Sequence, residues 1–121
     1  MEPGLRAELA GRKNVLVTHP LSRDTGCVLT RTVTLPAGQK SVLNLVVGHD
    51  PRGDWDLIVK TNGEQLLRKT IGPNTASAGW AEVVVDLSKF AGRQVKLELV
   101  NEPTDWRYEA AFWSEISLRS E

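Results

Sequence analysis

One cysteine, one methionine, one tyrosine and no surplus of either charge characterise this sequence of 121 residues. A lone Cys27 excludes an internal disulfide and any cysteine-based metal cluster. Fifteen basic residues balance fifteen acidic ones, so no long-range field draws the chain onto nucleic acid or an anionic membrane. No apolar run approaches the roughly 20 residues that a bilayer-crossing helix needs, which argues against membrane insertion. The opening Met1-Glu2-Pro3-Gly4 lacks the basic-then-apolar layout of a secretory signal. Nucleophile elbow, phosphate-binding glycine loop, HExxH and CxxC are all missing, and with them the commonest catalytic signatures. The length fits a single domain over residues 1–121, enough for one core.

What is present is alternation. In Gly79–Pro103, Ala81, Val83, Val85 and Leu87 fall on one face, with Glu82, Val84 and Asp86 on the other. Val95, Leu97 and Leu99 repeat the pattern against Lys96 and Glu98, the period of two of half-buried strands. Between them Phe90 is placed to fold back as a plug and Gly92 to turn the chain, as a hairpin or as a connection between sheets. Asn14–Thr18, Cys27–Leu35, Ser41–His49, Trp55–Thr61 and Glu64–Ile71 read as further strands, with Asn62-Gly63 a strong type I′ hairpin signal. The alternation in Ser41–His49 includes Val on both faces, the mark of a central strand. Ala110–Arg119 closes the chain, and simple alternation puts Phe112, Ile116 and Leu118 on one face, Trp113 and Glu115 on the other. Residues 1–13, broken by Pro3, Gly4 and Gly11, read as a polar lead-in with at most a turn of helix over residues 5–10. About eight short strands without an amphipathic helix give an all-β antiparallel sandwich.

Strand-by-strand reversal sends the connections alternately to two ends. One end receives compact turns; the other receives His19–Gly26, His49–Trp55, Gly72–Trp80 and Asn101–Glu109. Aromatic rings stack on the C–H faces of sugars while carboxylates, amides and guanidinium groups bond hydroxyls, so this mixture suits a polyhydroxylated ligand. Trp106, Tyr108 and Trp80 are the stacking candidates, and Arg52, Arg107, Asp54 and Asp105 the groups orienting hydroxyls. Against this, a Trp at a strand start, as Trp55 and Trp80 are, more often caps a core. Asp50, Asp54 and Asp56 lack the spacing of a calcium loop; a solvated loop in which Asp54 pairs with Arg52 or Arg107 is the simpler account. Glu102 and Asp105 offer an acid pair for a hydrolase, with nothing in the sequence fixing their separation.

The run GWAEVVVDLSKFAGRQVKLELVNEP followed by AAFWSEISL resembles the C-terminal half of galactose-binding-like jelly-roll domains, in particular the carbohydrate-binding modules of NPCBM type that accompany bacterial glycoside hydrolases. Asp86-Leu87-Ser88, Ala91-Gly92, Trp113 and Glu115 carry the resemblance, and WDLIVKTNGEQLLR extends it to about Ser41–Leu118. The resemblance implies a jelly roll that is not an enzyme, requires no cofactor, and binds carbohydrate through loops at one end. It also implies a structural Ca²⁺ in some relatives, for which Glu115 would be the ligand here. It places the chain in a larger secreted or extracytoplasmic bacterial protein, beside an adjoining catalytic or other domain. The long Asn101–Glu109 loop departs from the family pattern, so binding residues do not transfer by position. The competing expectation is a structural or protein-interaction sandwich with no small-molecule ligand.

Overall fold

The computed structural model describes residues 1–76 and 78–121; Ser77, in the expected loop before Trp80, lies outside them. Among the described residues nine strands follow in order: β1 (Gly4–Leu9), β2 (Arg12–Thr18), β3 (Cys27–Thr34), β4 (Ser41–His49), β5 (Trp55–Thr61), β6 (Glu64–Ile71), β7 (Trp80–Asp86), β8 (Gln94–Glu102) and β9 (Ala111–Ser120). They form two antiparallel sheets, β1-β2-β9-β4-β7 and β3-β8-β5-β6. The inward residues named from alternation meet between the sheets: Leu43, Leu45 and Val47 of β4, Val83 and Val85 of β7, and Val95, Leu97 and Leu99 of β8. The link between β7 and β8 is a change of sheet, made by a single 3₁₀ turn at Ser88–Phe90 whose Phe90 is buried. Asn62 and Gly63 have φ of 51° and 81°, as a type I′ turn requires.

Two features depart from the sequence-based expectation. Residues 1–13 are not a lead-in, and residues 5–10 are not helical: β1 and β2 form a hairpin turned by Ala10-Gly11, φ 51° and 83°, a second positive-φ pair where only the glycine advertised itself. The hairpin joins the sheet through Leu16↔Trp113, Val17↔Phe112 and Thr18↔Ala111, and then its tip crosses the outer face. The indole N–H of Trp80, on the far edge strand, donates to the Ala10 carbonyl at 3.0 Å. A second apolar cluster results, with Val15, Val17, Ala110 and Phe112 buried beneath Leu9 and Trp80.

The other departure is in β9. The register slips between Val46 and Val47, so that Val47 faces Trp113 but Val46 faces Glu115, and Ser114 is the extra residue of a β-bulge. The extra residue inverts the parity of everything after it. Trp113 therefore enters the core, 5.2 Å from Trp55, while Phe112 faces outward and Ile116 and Leu118 turn inward beside Leu45 and Leu43.

Candidate functional site

A chain of buried hydrogen bonds ties the core to the loops at one end. The Trp113 indole N–H donates to the Thr18 hydroxyl at 2.9 Å, Thr18 donates to the Asn101 amide oxygen at 2.9 Å, and the Asn101 amide nitrogen donates to the Glu109 carbonyl at 3.2 Å. The relay anchors the β8–β9 loop at its C-terminal root. Its remaining closure comes from the Glu109 side chain, 1% exposed, whose carboxyl accepts from the Thr104 backbone N–H at 2.6 Å. Burial pushes the Glu109 carboxyl above its ordinary range. The Thr104 hydroxyl sits between Glu109 and Asp54 and has one proton to give; it donates to Asp54. Neither Glu109 nor Thr104 stood out in the sequence, because a Glu at the end of a charged loop reads as solvated.

On this footing four connections meet. Arg52, in the β4–β5 loop, lays its guanidinium over the Tyr108 ring at 4.3 Å. A bidentate pair with Asp50, at 2.9 and 2.7 Å, fixes Arg52 from beneath. These bonds hold the Asp50 carboxyl below the usual carboxylate range. Gly53 lies so close to Tyr108 that a Cβ there would come within 2.4 Å of its carbonyl oxygen. A Cβ on Gly72, in the β6–β7 loop, would come within 2.8 Å of Asp54. From the β2–β3 loop the His19 ring meets Trp106 edge-on at 5.3 Å, its Nδ1–H donating to the Pro20 carbonyl at 3.0 Å. His49 is spent inside its own turn, with Nδ1 2.8 and 3.0 Å from the Asp50 and Gly53 carbonyls.

Tyr108 holds φ = 58°, a conformation that costs a bulky L-residue roughly 1–2 kcal/mol. Tyr108 and Trp106 nevertheless remain 43% and 37% exposed. The strain is thus maintained by Arg52, the Gly53 approach and the Glu109 closure, and it keeps an aromatic ring at the surface.

Arg52, Asp54, Asp105, Trp106, Arg107 and Tyr108 accordingly share one end of the sandwich. Asp105 accepts from the Trp106 backbone N–H at 2.8 Å, and Arg107 is exposed between the two rings in sequence. Trp80 takes a different part: with Phe112 at 6.2 Å on one side and Arg12 at 5.4 Å on the other, it caps the outer cluster, the role a Trp at a strand start usually has. The pairing of Asp54 with Arg52 or Arg107 is replaced by Asp50–Arg52 and Asp54–Thr104, while Asp56 is engaged by Arg68 at 2.9 Å and Thr70 at 2.6 Å. The three carboxylates of that segment are thus each committed to a separate partner. A depression of about 380 Å³ lies between Ala10, His49, Pro51, Pro73, Ala76 and Phe112, and neither Trp106 nor Tyr108 lines it.

Ca²⁺ takes six to eight oxygen ligands. Glu115 stands exposed on the outer face of β9 with the Ser117 hydroxyl at 3.5 Å, and the described residues contain no group of three His, Cys, Asp or Glu side chains placed to hold a metal. The donor set at Glu115 does not fit a structural calcium site.

No family model matches the chain, and no curated protein matches its sequence. Solved structures do match its fold. The EclA C-terminal domain, a sugar-binding protein, superposes with a TM-score of 0.68 at 13% identity, over 98% of this chain and 81% of that one. A family 35 carbohydrate-binding module from an environmental isolate gives 0.69 at 18%, over 97% and 82%. The Stig cyclase Fisc of Fischerella sp. TAU, solved in complex with an indole compound, gives 0.62 at 13%, over 90% and 64%. The chain therefore shares its two-sheet antiparallel fold with two sugar-binding domains and with a cyclase, so the fold by itself does not choose between binding and catalysis.

Proposed function

We propose that this chain is a non-catalytic carbohydrate-binding module that engages glycan on the end of the sandwich carrying Tyr108 and Trp106. The observation that supports this most is an exposed tyrosine kept in a strained backbone conformation over an immobilised guanidinium. Rigid rings offer stacking area at little entropic cost, and Arg52, Arg107, Asp54 and Asp105 surround them with donors and acceptors for hydroxyl groups. The surface is a platform rather than a deep cavity, which suits part of a longer glycan chain better than a buried monosaccharide. Binding by one such platform is weak, so the reading includes a larger extracytoplasmic protein in which an adjoining domain or repeated copies supply avidity. Titration of a glycan array by tryptophan fluorescence, followed by calorimetry on the responding sugar, tests the site. Trp106→Ala and Tyr108→Ala should each weaken binding at least tenfold with the fold intact by circular dichroism. Full binding by both variants removes the proposed platform.

A further inference from the structure

The bulge that turns Ile116 and Leu118 inward leaves them uncovered. They are 47% and 38% exposed and floor an open groove of about 490 Å³, whose facing wall is Leu29, Val33, Leu97 and Leu99. The groove exists because β2 pairs with β9 only at Ala111–Trp113. Asn14, at φ = 56°, lies where the hairpin leaves the sheet toward Trp80, and the edge of β9 over Ser114–Ser120 has no strand beside it among the described residues. The backbone groups aimed at that free edge follow from register. Lys40 and Glu121 exchange both hydrogen bonds, at 2.8 and 2.9 Å, so Glu121 faces β4 and alternation turns the N–H and C=O of Ile116 and Leu118 away from it.

Exposed edges are normally blunted. The neighbouring free edge, β3, is: Arg31 shares the inward face with Leu29 and Val33 and puts a charge at the mouth of the groove. The β9 edge carries no inward charge and no proline; its inward residues are Ile116, Leu118 and Ser120, the last hydrogen-bonded to Ser41 at 2.8 Å.

The sequence along this edge is complementary to itself. Antiparallel pairing of Ser114–Ser120 with a second copy about a two-fold axis at Ser117 sets Glu115 opposite Arg119 twice on the outer face, and Ile116 opposite Leu118 twice on the inner face. It also makes Ile116 and Leu118 the hydrogen-bonded pairs, the residues whose backbone groups point outward. Moving the axis to Leu118 would face Glu115 with Glu121 of the same charge.

We propose that the β9 edge is the interface with a second copy of this chain, joining the two five-stranded sheets through antiparallel β9–β9 pairing with Ser117 on the dyad. Inward Ile116 and Leu118 from both copies then cover each other at the mouth of the groove. Antiparallel pairing sends the two glycan platforms, each at the start of its own β9, to opposite ends of the dimer, an arrangement suited to bridging separate glycan chains.

Sedimentation velocity and light scattering across a concentration series test this. The unaltered chain should be a reversible dimer. Arg119→Glu and Glu115→Arg, both exposed and remote from the rings, should each weaken it at least tenfold, and the double reversal should restore it. In a Cys27→Ser background, Ser117→Cys should cross-link to itself under mild oxidation, since the dyad residue is a closely spaced pair, whereas Val84→Cys on the opposite edge of the same sheet should not. A monomer at every concentration, or a dimer indifferent to charge reversal and uncross-linked at position 117, overturns the proposal while leaving the glycan reading intact.

Discussion

At the scale of the residue, Tyr108 concentrates the argument about the site. Its aromatic and charged neighbours were legible in the sequence, but its positive φ was not, because backbone strain has no signature in residue type. Replacement by Gly removes the strained conformation and replacement by Ala keeps most of it, so Tyr108→Gly should be about 1 kcal/mol more stable than Tyr108→Ala in urea unfolding, with both losing glycan affinity. Glu109 gives a second test. A carboxyl whose pKa is raised by folding contributes stability that is complete below its unfolded value, about 4.5, and is lost as pH rises through the folded one. The wild-type melting temperature should therefore fall relative to Glu109→Gln as pH is raised from 4.5. Asp50, lowered by Arg52, works in the opposite sense, losing its contribution as pH drops through the depressed value. Asn101→Ala removes the middle of the relay and strands both the Thr18 hydroxyl and the Glu109 carbonyl, a loss of about 1–3 kcal/mol by denaturant titration.

At the scale of the element, the strands with clean alternation were readable, and their inward residues are those of the core: Leu43, Leu45 and Val47, Val83 and Val85, Val95, Leu97 and Leu99. β1 was not readable because its pattern, Gly-Leu-Arg-Ala-Glu-Leu, offers a thin apolar face and takes its partner from β2 rather than from the sandwich core. β9 was readable as a strand but not as to which face is inside, since one bulge residue exchanges the two. The outer cluster that the hairpin makes gives the measurable consequence. Phe112→Ala should cost about 3–5 kcal/mol, as much as an inter-sheet residue, and deletion of residues 1–11 should lower the melting temperature markedly instead of leaving it unchanged as a lead-in would.

At the scale of the whole molecule, alternate reversal of strands was enough to gather His19, Arg52, Asp54, Trp106 and Tyr108 at one end, because an antiparallel sandwich allows its loops few destinations. Sheet membership and strand order were beyond a single sequence: nothing in β3 announces that its neighbour is β8, with Cys27 opposite Asn101. Pairings that distant make most contacts non-local, so refolding followed by stopped-flow fluorescence of the buried Trp55 and Trp113 should be slow, in the millisecond-to-second range. The placement of β9 has a consequence for how the protein is made. The last of these strands to be synthesised is the middle one of its sheet, with β4 on one side and β2 on the other. A nascent chain still lacking Ala111–Ser120 holds two half-sheets with nothing to join them, so the native fold is reached after those residues leave the ribosome, in one cooperative closure rather than strand by strand.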